Sequence, residues 1–327
     1  NYIMSLNRYY EALSLIIIIL LFLIGFLGPK FWKMPQPLFN FKGIENNLSN
    51  PVVSIDRLSL FYSNNNYLSS NQFNNKDVVF NWSKIILNYV TTDVPIPRMY
   101  FPYIPKNINQ YKTNNKKSTF IAILLPLALR GNELVLEERK LMKIAFSTNN
   151  IYQIERLSKK YKVNNFKKIN FSNLNRSELR KIRLELLSKI NSIPISLILA
   201  QSIIESGWGV SRFAQEGNAL FGQWTWNNAD GIKPKGNLDA NFSVKNFDSL
   251  LDSVNSYILN LNTHTAYKEL RNFRTSQYNS GKKITGNDMA NFLDKYAEIG
   301  IQYVTKVKNM IEKNQLSKYE NSILATF

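Results

Sequence analysis

A single carboxylate stands where an apolar helical pattern gives way to a turn, in Leu199-Ala200-Gln201-Ser202-Ile203-Ile204-Glu205-Ser206-Gly207-Trp208-Gly209. Ile195, Leu199, Ile203 and Ile204 recur at near-helical spacing, Ser192 is placed to cap the segment and Pro194 suits its first turn. Glu205 therefore falls on the last turn before Gly207 ends the helix. Apolar neighbours such as Trp208 shield a carboxyl group there, and shielding disfavours the anion, so the group can donate a proton near neutral pH. Protonation of a leaving oxygen is the chemistry of glycosidic bond cleavage. The same spacing also suits an ordinary surface acid before a glycine stop, and spacing alone leaves both readings open.

Composition removes several other chemistries. The chain has 327 residues and no cysteine, which excludes disulfides, thiol nucleophiles and Cys-ligated zinc and leaves the redox compartment open. Its one histidine, His264, argues against a Ser-His triad or a His-rich metal site, so acid-base work falls to Asp, Glu or Tyr. His264 follows a helix end near residues 260–262, where a capping or packing role suits it.

Downstream of the turn, Arg212-Phe213-Ala214 leads into Gly217-Asn218-Ala219-Leu220-Phe221-Gly222-Gln223-Trp224. The string from Ala200 to Trp224 resembles the signature of bacterial peptidoglycan N-acetylglucosaminidases of glycoside hydrolase family 73, in particular its membrane-anchored Bax-type branch. Phe247-Asp248-Ser249, Asp252-Ser253-Val254, Tyr257, Leu261-Asn262-Thr263-His264, Ala266-Tyr267, Tyr296-Ala297 and Tyr303-Val304 follow in similar order. The resemblance covers roughly the last 130 residues, extends less distinctively over Pro95 to Arg139, and is absent from residues 40–90. It implies that Glu205 is the catalytic acid, that Tyr296 supports it, and that Trp208, Asn218, Phe221, Gln223, Trp224 and Tyr303 contact the sugar. Trp224 and Trp226 suit stacking on pyranose faces; packing of their own hairpin is the alternative for Trp226.

Glycosidases commonly use a second carboxylate. Asp230, Asp239 and Glu216 are the candidates, and none lies in an alignable motif. Either a loop acid, with Asp239 the choice, acts as base, or the N-acetyl group of the substrate is the internal nucleophile. Tyr296 could hold that acetamido group or position water. Tyr303 shares a helix with Val304, Val307 and Ile311 and reads equally as a half-buried packing residue.

The net charge of +18 admits two causes. A coding bias towards Asn, Lys and Ile would leave a solvated lysine face, whereas attraction to an envelope polyanion would be functional. No nucleic-acid module and no phosphate-binding glycine loop is present, so no nucleic-acid partner is expected.

Residues 1–11 form a short tail, and residues 12–28 are almost continuous hydrocarbon, long enough to cross a bilayer. Gly28-Pro29-Lys30 is a poor cleavage site, so the segment reads as an uncleaved transmembrane signal anchor, with Trp32 at the interface. Flanking charges do not settle its orientation. Residues 29–92 read as an Asn-rich stalk with a helix over Trp82 to Val90, and residues 93–131 as a proline-rich arm and helix packed on a domain spanning 132–327.

Periodicity predicts helices over Ser118 to Leu129, Glu133 to Phe146, Ile151 to Tyr161, Arg176 to Lys189, Ile195 to Glu205, Asp248 to Leu261, Asp288 to Ala297 and Ile301 to Lys313. Asp248 is expected to cap its helix. Gln223 to Trp226 and Phe242 to Phe247 suggest a β-hairpin. The expected fold is α+β and predominantly helical, which by the resemblance means a lysozyme-like glucosaminidase domain with a small β-lobe behind a transmembrane helix. The expected protein is a monomeric, single-pass inner-membrane enzyme without metal or cofactor, its catalytic domain outside the cytoplasm on peptidoglycan glycan strands. A lytic transglycosylase and a non-catalytic wall-binding scaffold are the alternatives.

Overall fold

The computed structural model describes residues 76–225, 231–233 and 243–326. The hydrocarbon segment 12–28, the stalk up to residue 75, Trp226, Asp230 and Asp239 lie outside the described residues. The described chain is predominantly helical. Its helices are α1 (Lys76–Thr91), α2 (Thr113–Ser147), α3 (Ile151–Lys160), α4 (Arg176–Lys189), α5 (Ile195–Ser206), α6 (Arg212–Gly217), α7 (Leu250–Thr263), α8 (Lys268–Asn279), α9 (Gly286–Ala290) and α10 (Ile301–Lys313). Three short strands, β1 (Trp224–Thr225), β2 (Gly231–Ile232) and β3 (Ser243–Lys245), form a small sheet.

The centre of the fold is α2, a 35-residue helix that packs on α1, α3, α5 and α7. Every residue from Thr119 to Gly131 is buried, which is how a helix apolar all round is accommodated at the middle of a helical core. It is long and apolar enough to cross a membrane, yet 78% of its apolar stretch is buried by the rest of the fold. Two helices were expected here, broken near Gly131-Asn132. Gly131 instead marks a close helix crossing, because a Cβ there would lie 2.8 Å from Ile258 Cδ1 and 3.0 Å from Val254 Cγ1.

Helix α5 is buried along its length apart from Ile204 and Glu205, which are half-exposed. Its N-terminus is not capped by Ser192. The Glu320 carboxylate does this from the far end of the chain, with Oε2 accepting from the Ile195 amide at 2.9 Å and Oε1 accepting from the Ser196 hydroxyl. The same Oε1 accepts from the Gly286 amide at 3.1 Å, so one carboxylate holds the first turns of both α5 and α9. Beside it, residues 94–105 run without regular structure but bury Ile96, Phe101 and Ile104. Ile96 forms a parallel bridge with Leu324.

Two arginines close the C-terminal end of α4. Arg139 donates to the carbonyls of Leu187 and Ile190 at 2.5 and 2.6 Å, and Arg274 to those of Ser188, Ser192 and Asn191 at 2.8, 3.0 and 3.2 Å. The carbonyls of Leu187, Ser188 and Ile190 are among those that the helix end leaves without intrahelical partners, and those of Asn191 and Ser192 belong to the segment that follows. Burial pulls the Arg274 guanidinium down to about 9, with the charges of Arg271 and Arg139 adding to the effect.

Other local differences follow from capping. Ser249, not Asp248, caps α7 by accepting from the Asp252 amide. The helix expected over Asp288 to Ala297 is the five-residue α9, started by a reciprocal Thr285–Asp288 capping box and followed by turns as far as Gly300. The expected hairpin is a three-stranded antiparallel sheet ordered β1-β3-β2, in which Trp224 pairs with Val244 and Ile232 pairs with the same residue from the other side.

Candidate active site

Glu205 occupies the last turn of α5, and Gly207, Trp208 and Gly209 follow with φ of 58°, 63° and 77°. Three consecutive left-handed residues fold the chain sharply away from the helix, and two of them are glycines because that region is costly with a side chain. Gly209 also needs its missing Cβ, which would lie 2.9 Å from the Phe120 ring and 3.1 Å from Ile104. The turn thus sits directly on α2 and the buried arm. Ser206 stabilises it, donating to Ser202 O at 2.6 Å and accepting from the Gly209 amide at 2.9 Å.

The carboxylate is held by a buried chain of hydrogen bonds. The Tyr257 hydroxyl donates to Gln201 Oε1 at 2.6 Å, Gln201 Nε2 donates to the Tyr303 hydroxyl at 3.1 Å, and that hydroxyl donates to Glu205 Oε1 at 2.7 Å. The Tyr257 donor fixes which way the Gln201 amide faces, and this in turn orients the Tyr303 hydroxyl towards Glu205. Burial pushes the Tyr303 hydroxyl far above its ordinary range, and the nearby Glu205 charge adds to this, so it stays protonated and remains a donor.

Aromatic rings form the wall behind this chain. Tyr296 stacks on Tyr303 with centroids 5.1 Å apart, Tyr267 packs on Tyr296 at 6.3 Å, and Phe221 stacks on Tyr257 at 4.0 Å. Burial among these groups raises the Glu205 carboxyl above its usual value; the Tyr303 hydrogen bond and the positive charge of Lys306 oppose the rise. The α5 carbonyl end, the negative pole of the helix, acts in the same direction as burial. Glu205 Oε2 has no hydrogen-bond partner among the described residues and faces Gly222, where a Cβ would come 3.4 Å from it.

The other expected site residues divide. Trp224 is 44% exposed on the edge strand β1. Gln223 is buried, and its Oε1 has no partner among the described residues. Phe221 is buried beneath Tyr257, and its carbonyl accepts from the Tyr296 hydroxyl at 3.1 Å, so Tyr296 reaches the Gly222 loop and not the Glu205 carboxylate. Asn218, at φ 51°, ends α6 and donates to Phe247 O at 3.0 Å, tying the helix to the segment after β3. Trp208 turns its ring to the edge of Phe120, with Lys117 Nζ 5.0 Å above its centre. Glu216 is on the surface, paired with Arg212 at 3.2 Å. His264 has the capping role expected of it, its Nδ1 accepting from the Ala266 amide at 3.2 Å.

Sequence reasoning missed Gln201, Gly222 and Lys306 as parts of this site. Gln201 was findable, because it precedes Glu205 by four residues and so shares its helix face.

Residues 182–316 match the family model Glucosaminidase, described as mannosyl-glycoprotein endo-beta-N-acetylglucosaminidase. This stretch is a glucosaminidase-family domain. The chain is also 28% identical over 212 residues to Protein bax of Escherichia coli (strain K12), an overlap covering 61% of this chain and 70% of that protein. No solved structure matches the chain. A domain of this family supports a glycosidase and implies a glycan substrate, and the matched segment contains the whole chain of bonds from Tyr257 to Glu205.

Proposed function

We propose that the protein hydrolyses the β-1,4 bond after N-acetylglucosamine in peptidoglycan, with Glu205 as general acid. The observation that carries this reading is the combination of burial and a single hydrogen bond on the carboxylate. Burial favours the protonated acid, and Tyr303 occupies Oε1, so the transferable proton belongs on Oε2 beside Gly222, which itself has no side chain to obstruct a leaving oxygen. The exposed Trp224 ring is suited to the apolar face of a neighbouring sugar.

Two routes complete the reaction. In one, Asp239, outside the described residues, activates water. In the other, the substrate N-acetyl oxygen attacks the anomeric carbon as the bond to the leaving oxygen breaks, and Glu205 returns as base for the attacking water. Tyr296 supports either route by bracing Tyr303 and the Gly222 loop.

A zymogram with purified peptidoglycan tests the assignment. The native protein is expected to clear the gel and Glu205→Gln to lose about 10²–10⁴ of the rate; equal clearing by both would remove Glu205 from the chemistry. Mass spectrometry of the products distinguishes the reaction class, since reducing N-acetylglucosamine ends mean hydrolysis and anhydro-muramyl ends mean a lytic transglycosylase. Residues 12–28 are the proposed single-pass anchor in the cytoplasmic membrane, with the catalytic domain outside the cytoplasm. Protease digestion of the domain in intact spheroplasts is the expected result for that orientation.

A further inference from the structure

We propose that the hollow between α10 and the Gly207–Gly209 turn is a subsite for a carboxylate-bearing sugar of the glycan strand, with Lys306 and Lys313 gripping the carboxylate and Trp208 against the ring. The assignment rests on the glucosaminidase reading above and concerns which sugars the strand must carry. The hollow has a volume of about 480 Å³ and is lined by Lys117, Trp208, Gln302, Thr305, Lys306 and Lys313, with Asn309, Met310 and Asn314 completing it. That size is ordinary for a small-ligand pocket, roughly 300–1,000 Å³. The larger hollow of about 510 Å³, around Ser188, Asn272 and Thr275, is lined by neither a charged group nor an aromatic ring.

Helical periodicity explains the charge. Tyr303, Val307 and Ile311 face the core, which leaves Gln302, Thr305, Lys306, Asn309 and Lys313 on the opposite face of α10. Among the described residues, no carboxylate lines the hollow. Lys117 donates to Asn314 Oδ1 at 3.1 Å and lies over Trp208, while Lys306 and Lys313 have neither an ion pair nor a hydrogen bond among the described residues. Like charges collected in one concavity repel one another, and an arriving anion relieves that repulsion. Lys306 follows Tyr303, whose hydroxyl bonds Glu205, by three residues, and Trp208 follows Glu205 by three, which places the hollow next to the acid. A neutral sugar would gain the tryptophan face and polar partners such as Gln302, Thr305 and Asn309, but no charge pairing.

The test measures binding by titration calorimetry on the full chain in detergent, in a Glu205→Gln background so that the ligand survives. The probes are chitotetraose, a peptide-free N-acetylglucosamine/N-acetylmuramic acid tetrasaccharide, its methyl-amidated form and its peptide-bearing form. The acidic tetrasaccharide is expected to bind about three- to tenfold more tightly than chitotetraose or the amide, with a preference that falls as salt rises. Lys306→Met/Lys313→Met is expected to reduce the ratio to about one, with a cooperative thermal unfolding transition like that of the parent showing that the fold is intact. Equal binding of all probes, or a preference that survives in the double variant, overturns the subsite. A preference seen only with the peptide-bearing glycan overturns its assignment to the sugar. An active enzyme without carboxylate preference refutes this inference alone, whereas carboxylate-dependent binding by a native protein that clears no peptidoglycan refutes the hydrolase reading alone.

Discussion

The Tyr303 hydroxyl donates to Glu205 Oε1 at 2.7 Å, and Gln201, bonded in turn to Tyr257, sets the direction of that hydroxyl. A hydrogen bond to the charged form of an acid lowers its pKa, so this one holds back the rise that burial imposes. Tyr303→Phe is therefore expected to move the alkaline limb of the pH–rate profile, where the general acid deprotonates, to higher pH. It should also lower kcat about tenfold through loss of aim. A limb that stays in place, or moves down, would mean that Tyr303 does not act on the reacting carboxylate.

Glu205→Gln should stabilise the protein at neutral pH. The folded pKa of Glu205 lies above its unfolded value, so folding takes up protons there. The Glu205 contribution to stability is fully present below the unfolded pKa, near 4.5, and is lost as pH rises through the folded one. The variant removes that loss and keeps an amide oxygen for Tyr303. Its melting-temperature advantage should be near zero at pH 4 and grow towards pH 7; a constant offset across that range would contradict the burial argument.

Gly222→Ala tests the approach to Oε2. Gly222 has φ of 59°, and a methyl group there would lie 3.4 Å from the carboxylate oxygen. The left-handed backbone costs roughly 1 kcal/mol with any side chain, and the methyl group fills the space where a leaving oxygen would approach. Activity should fall more than tenfold for a loss of only about 1 kcal/mol in urea unfolding.

Glu320→Ala separates folding from chemistry. Losing the shared cap of α5 and α9 should destabilise the protein by about 1–3 kcal/mol, and the pH–rate profile of the protein that remains folded should keep its shape. A shifted alkaline limb would show that Glu320 also affects the acid.

Local patterns made part of this site readable in advance. The helix carrying Glu205, its glycine stop and the helix carrying Tyr303 are all encoded by spacing within a dozen residues, and the structure has α5 and α10 where they were expected. Which tyrosine meets the acid was not encoded locally, because Tyr296 and Tyr303 are stacked and are distinguished by partners distant in sequence, Phe221 O for one and the Gln201 amide for the other. The capping of α5 was misread as Ser192, because its partner Glu320 lies 125 residues beyond Ile195. The α2 break was misread because Gly131 answers to α7, a helix more than a hundred residues away in sequence.

The clasp between Ile96 and Leu324 bears on which piece of this chain can be handled in isolation. The Ile96 amide donates to Ile323 O at 2.8 Å, the Ala325 amide to Ile96 O at 2.9 Å, and Arg98 Nε to Ala325 O at 2.6 Å. These contacts, with Glu320 and with Phe120 and Ile104 beneath Gly209, all fall outside residues 182–316. A fragment trimmed to the matched segment would leave α5 uncapped and the underside of its turn bare, and one begun at residue 132 would sever α2 mid-length. The stretch matched by the family model is shorter than the set of contacts that hold α5 and its turn in place.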